Sequence, residues 1–178
     1  HKILGLGIVA VVCFAISAPA IGEEPMESPV VKAISGGKAY LDVRYRFEHV
    51  NQDGLAKDAD ASTVRARLGF VTDQAYDLSG RIELEHIDPI GGQRFNSTTN
   101  GKTRFPTVAD PGETEINQLY LRYRGIADTT LTAGRQRVIL DNARFVGNVG
   151  FRQNEQTFDA AVIANTSLPD TTLIYGYV

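Results

Sequence analysis

From residue 40 onward the chain alternates apolar and polar side chains one by one, in short runs broken by turn-rich stretches. In 40–49 (YLDVRYRFEH), Leu41, Val43, Tyr45 and Phe47 fall on one parity and Asp42, Arg44, Arg46 and Glu48 on the other. In 63–71, Val64, Ala66, Leu68 and Phe70 oppose Arg65 and Arg67. In 78–88, Ile82, Leu84 and His86 oppose Arg81, Glu83 and Glu85. The clearest run is 118–137 (QLYLRYRGIADTTLTAGRQR). There Leu119, Leu121 and Tyr123 alternate with Tyr120, Arg122 and Arg124, and a short turn at 125–129 leads back to Arg135 and Arg137. A period of two sends successive side chains to opposite faces of a strand, so each run has one apolar and one charged face. Strands are expected at 40–49, 63–71, 78–88, 115–124, 130–139, 157–164 and 171–178.

The connections alternate in length. Residues 50–61, 89–114 and 141–155 are long and polar or rich in Gly, Asn, Thr and Pro, whereas 73–77, 125–129 and 165–170 are short. A soluble meander has no reason to sort its loops by side, but outer-membrane barrels do, with short periplasmic turns and longer extracellular loops. Strands of about ten residues also suit a tilted bilayer crossing. The expected fold is therefore all-β, a transmembrane antiparallel barrel with 50–61, 89–114 and 141–155 outside and the turns near 75, 127 and 168 in the periplasm. Seven strands is an odd number, and open edges in hydrocarbon cost several kcal/mol per unpaired group, so 39–178 is expected to be the N-terminal part of a larger barrel. One strand resists the scheme. If Arg135 and Arg137 face the lumen, Leu131 and Ala133 do too, leaving Thr130, Thr132, Gly134, Gln136 and Val138 toward lipid. A bulge near Gly134 would switch that phase, and the facing of 130–139 stays open.

Ahead of the strands, Lys2 precedes an apolar run at 3–18 that ends in Ala18-Pro19-Ala20, the layout of a secretory signal peptide over 1–20, with an N-terminal membrane anchor as the alternative. Residues 21–38 read as a flexible lead. No later run is long enough for a membrane helix. The single cysteine, Cys13, lies within the signal, so the mature chain has no thiol to form a disulfide. A formal net charge of -3 argues against nucleic-acid binding. These features place the mature protein in the outer membrane of a Gram-negative bacterium, in contact with its lipid. A second reading is a secreted soluble β-domain that binds acidic glycans through the same arginines, and a third is a structural or adhesive barrel.

On this phase the lumen face carries Arg44, Arg46, Arg65, Arg67, Arg81, Arg122, Arg124, Arg135 and Arg137, with Asp42, Glu48, Glu83, Glu85 and Asp159 as its acids. Nine minus five leaves +4 on that face, inside a chain of net -3, so the acidic excess sits in loops and turns. Arginines lining a pore select anions, and guanidinium groups hold carboxylates bidentately while neighbouring acids keep the hold weak enough for release. The plainer alternative is that the arginines pair with acids across strands and stiffen the wall. No Ser/His/Asp or metal-ligand spacing appears, and His49 and His86 stand singly, so neither an enzyme nor a cofactor is expected. Asp53, Asp58 and Asp60 are at most a weak Ca²⁺ candidate beside the favoured reading of a solvated acidic loop.

The block 134–160 (GRQRVILDNARFVGNVGFRQNEQTFDA) resembles the alginate export family of outer-membrane porins. The resemblance lies in Gly134-Arg135-Gln136, Asp141, Arg144, Gly147, Phe151-Arg152-Gln153 and Phe158-Asp159, with Phe151 standing where tryptophan is expected. It implies an eighteen-stranded barrel whose arginine-rich, anion-selective pore passes an acidic polysaccharide or other anionic solute, with possible periplasmic secretion partners.

Overall fold

The computed structural model describes residues 28–178 and the backbone of Val9–Ile16. Strands β1 (Val9–Ile16), β2 (Lys38–Val50), β3 (Ala59–Val71), β4 (Leu78–Pro89), β5 (Glu113–Ile126), β6 (Thr129–Gln136), β7 (Phe158–Asn165) and β8 (Leu173–Tyr177) form one antiparallel sheet. Each strand lies beside its neighbours in sequence, an unbroken meander. The seven strands expected from alternation are β2 to β8. The proposed signal peptide falls partly outside the described residues; its Val9–Ile16 backbone runs antiparallel to β2, with Val12 opposite Val43.

The two faces invert the order of a soluble domain. Arg44, Arg46, Arg65, Arg67, Glu83 and Glu85 are buried, whereas Leu68, Leu84, Leu119 and Leu121 of the same strands stand exposed, Leu121 at 62%. Charged residues are almost never fully buried unless paired, and a contiguous exposed apolar face on a water-soluble protein is an association hazard. A barrel wall with lipid outside and a polar lumen inside satisfies both faces. The apolar cluster of Ala59, Ala61, Phe95 and Val108, with Val50 against it, lies at the long-loop end, where residues 90–112 fold over the top of β3.

Two irregularities set the phase. Glu83 pairs with Gln118 but Leu84 pairs with Ile116, so Asn117 is an extra residue on β5. This bulge turns both Asn117 and Gln118 inward, fully buried, and keeps Ile116 on the exposed apolar face. The second concerns β6. Arg135, Ala133 and Leu131 stand directly opposite Leu119, Leu121 and Tyr123, and across β7 they meet Asp159, Ala161 and Ile163. Those residues share the outer face. Thr132 and Gln136 are the buried, inward ones. The expected inward parity of Arg135 and Asp159 is thus corrected, and the reason is local: each outward charge has the other as partner, in a two-armed ion pair of 2.9 and 2.8 Å.

Gly134 lets β6 approach β5. Its φ is +121°, and a Cβ there would lie 2.3 Å from the Leu119 carbonyl oxygen. Gly134→Val is expected to sever the β5–β6 pairing, the backbone conformation alone costing about 1–3 kcal/mol. The check is the fraction of outer-membrane protein that keeps folded, heat-modifiable mobility on a gel. An unchanged fraction would show that the strands do not approach this closely.

Within the segment read as a flexible lead, Pro29–Ser35 form a short helix, α1. Ser28 caps it by accepting from the Val31 amide, Pro29 sits in the first turn where its missing N–H costs nothing, and Gly36 ends it. The Asp73 amide donates to the Ala33 carbonyl at 2.8 Å, tying α1 to the turn after β3.

Candidate functional site

The inward parities of β2, β3 and β4 bring charges of like and unlike sign into register. Arg44 stands opposite Arg65, an arrangement that destabilises a sheet unless each charge finds another partner. Arg65 turns to Asp42 at 2.7 Å. Arg67 stands opposite Glu85 and donates to it from Nε. Arg44 turns away from the wall, and its guanidinium donates to the carbonyls of Gly150, Phe151 and Arg152 at 3.0, 2.6 and 2.9 Å.

Those carbonyls belong to the connection 137–157, which folds against the inward face. Arg46 donates to the Phe151 carbonyl at 2.5 Å and stacks over the Phe151 ring, 3.9 Å from its centre. Gln153 is completely buried; its amide group donates to the Thr63 hydroxyl at 2.9 Å, and its backbone N–H donates to Asp110 at 2.8 Å. Glu155 is buried as well. Its Oε1 accepts from Arg137 Nε (2.5 Å) and Asn117 Nδ2 (2.5 Å) and forms an ion pair with the Arg67 guanidinium at 3.1 Å, while Oε2 accepts from Asn148 at 2.6 Å. Burial pushes the Glu155 carboxyl up, but the Arg137 hydrogen bond and the Arg67 charge outweigh it and hold it below the usual carboxylate range. Its negative charge is therefore in place at neutral pH.

Glu83 is the hub of the wall. It accepts from Tyr40 Oη, from Asn117 at 2.7 Å, from Gln118 at 3.0 Å and from Arg137 at 2.7 Å. The bulge supplies two of these donors at once. Tyr40, whose ring covers Gly69 on the facing strand, supplies the third.

A cavity of about 480 Å³ opens in this network, lined by Tyr40, Asp42, Arg44, Arg65, Arg67, Arg81, Glu83, Arg137, Asn148 and Glu155 among others. It gathers seven of the residues expected on the lumen face: Asp42, Arg44, Arg65, Arg67, Arg81, Glu83 and Arg137. Glu85 adjoins it through Arg67. Arg46 lies nearer the long loops, with Glu48 and Asp110 as partners. Arg122 lies toward the short turns, its guanidinium 5.1 Å from the Tyr120 ring, and Arg124 is exposed beyond it. Arg135 and Asp159 are on the other face. Asp53, Asp58 and Asp60 are not gathered into a ligand set: Asp60 is taken by His49 and Arg94, Asp58 accepts from Asn51, and no metal-binding cluster occurs among the described residues.

The motif residues divide by role. Gly134, Gln136 and Phe158 join β6 to β7, Gln136 through a 2.9 Å bond to the Ala160 carbonyl. Phe151 and Gln153 dock the loop, whereas Asp141 and Arg144 are exposed on it. Sequence reasoning missed Tyr40, Asp110, Asn117, Gln118, Asn148 and Glu155. Of these, Asn148 and Glu155 lie inside the distinctive 134–160 block, a signal that singled out their neighbourhood.

Comparison with known families gives a match to alginate export over residues 38–171. No curated protein and no solved structure matches the chain. The matched span starts at the first residue of β2 and takes in the inverted wall, the bulge and the folded-in loop. The chain therefore belongs to the alginate export family, a family of outer-membrane transport porins rather than enzymes.

Proposed function

We propose that the mature protein is an anion-selective channel that passes an acidic polysaccharide or a smaller anionic solute across the outer membrane through a lumen lined by arginine. The observation that carries this reading is the inverted wall, with arginines buried on one face of strands whose other face exposes leucine. In this reading residues 1–20 are cleaved on export, the connections 51–58, 90–112 and 137–157 face outside, and the short turns face the periplasm. A soluble glycan binder would have to leave the leucine face in water, which disfavours that alternative.

The arginines serve two purposes here. Arg65, Arg67 and Arg137 hold carboxylates of the wall and loop. Arg81 and Arg122 instead lie over aromatic rings, 5.2 Å from Tyr40 and 5.1 Å from Tyr120, and present their charge to passing anions. Replacing Arg81, Arg122 and Arg124 together with glutamine in the full-length protein removes three positive charges and leaves every ion pair named above intact. The barrel is expected to assemble. Its reversal potential in planar bilayers under a KCl gradient is expected to shift from anion-favouring toward neutral. An assembled variant with unchanged ion preference would overturn the assignment of these arginines.

A further inference from the structure

We propose that the Glu155 carboxylate occupies the place in the wall's donor cradle that a passing solute's carboxylate takes, so that the two exclude one another. This rests on the anion-passage reading above and names what regulates that site.

Three strands build the cradle. Arg67 comes from β3, Asn117 from the β5 bulge and Arg137 from just past the end of β6, and all three point at one carboxylate oxygen. Arg137 stands where β6 ends and the connection begins, so the carboxylate is the one charge of the arrangement carried well beyond the strands. It comes from the connection 137–157, and its side chain is 2% exposed. Around the same cavity, five guanidinium groups (Arg44, Arg65, Arg67, Arg81, Arg137) meet three carboxylates of the wall (Asp42, Glu83, Glu85). The wall alone therefore has two positive charges in excess, and Glu155 lowers the excess to one.

The cavity beside the cradle, about 480 Å³, falls in the ordinary range of small-molecule pockets and has room for a sugar ring. A uronate entering it meets the donors that Glu155 already holds. Displacement asks little of the loop, because Gln153, two residues earlier, anchors the backbone to Thr63 and Asp110 independently of Glu155. The side chain swings out and the loop stays docked. A wall acid could not do this, since its backbone is fixed in the sheet. Glu155 thus acts as a resident carboxylate that weakens solute binding and speeds release, the balance a channel needs between entry and exit.

The test uses the full-length protein in planar bilayers, with galacturonate as the anionic probe and galactose as the neutral one. Glu155→Gln keeps the side-chain shape and removes the charge. Galacturonate is expected to block the current at about tenfold lower concentration than in wild type, with galactose unchanged. An unchanged galacturonate dependence, in a channel whose wild type is anion-selective, would reduce Glu155 to a structural tie and overturn the inference. A wild type with no anion preference would instead overturn the underlying reading. Should Glu155→Gln fail to assemble, Glu155→Asp, which withdraws the carboxylate by one methylene, is expected to move the block the same way by a smaller factor; no movement would count against the proposal.

Discussion

Replacing Glu83 with alanine is expected to destabilise the assembled protein by about 3–5 kcal/mol, the cost of removing one partner from a buried charged network. The side chain is 2% exposed and accepts from donors on three other segments: Tyr40 on β2, Asn117 and Gln118 on β5, and Arg137 past β6. Without it, Arg137 keeps only Glu155 as a charged partner among the described residues, and Gln118 loses the acceptor that its inward turn serves. The loss therefore spreads across the wall. Glu83→Gln retains an acceptor oxygen and is expected to cost less. Urea titration of the protein refolded into lipid vesicles, read by folded gel mobility, gives both values. A Glu83→Ala midpoint within about 0.5 kcal/mol of wild type would show that the network is redundant at its centre.

Leu121→Arg is the second large effect. Leu121 is 62% exposed, with Gly80 and Ala133 as its cross-strand neighbours. None of these offers a carboxylate, so a guanidinium there would stand unpaired in the hydrocarbon. The expected penalty is about 2–4 kcal/mol at the bilayer midplane, enough to lower assembly sharply. Arg122→Leu, one residue on and facing inward beside Tyr120 and Thr132, removes a charge from the wet side and is expected to be mild. Equal assembly of the two variants in a membrane-insertion assay would contradict the lipid-facing assignment of the leucine face.

Strands β2, β3 and β4 were legible because period-two alternation is a local signal and their apolar and charged parities stay separate over 41–48, 64–70 and 81–85. The bulge was not. Asn117-Gln118 is a polar pair that contributes to neither parity, and its purpose lies in Glu83, thirty-odd residues away in sequence but adjacent in the sheet. The facing of β6 stayed open for a related reason. An outward arginine looks forbidden until Asp159, on the next strand, is placed beside it, and that juxtaposition depends on register. Helix α1 carried a readable start in Ser28-Pro29, but seven residues give too little periodicity to stand out from a lead. The cavity was half legible: the arginines and Glu83 could be assigned to one face, whereas the folding-in of 137–157 could not, because its main attachments to Arg44 are through carbonyl groups that every residue possesses.

That mode of attachment has an evolutionary consequence. Arg44 recognises Gly150, Phe151 and Arg152 by their main chain, so the identities of these residues are not what Arg44 reads. On the channel reading proposed above, the segment can exchange its remaining side chains while keeping its berth, provided that Phe151, Gln153 and the path of the chain remain. A change of cargo could therefore be met by diversifying this stretch without rebuilding the barrel beneath it, which would separate selection on substrate from selection on folding.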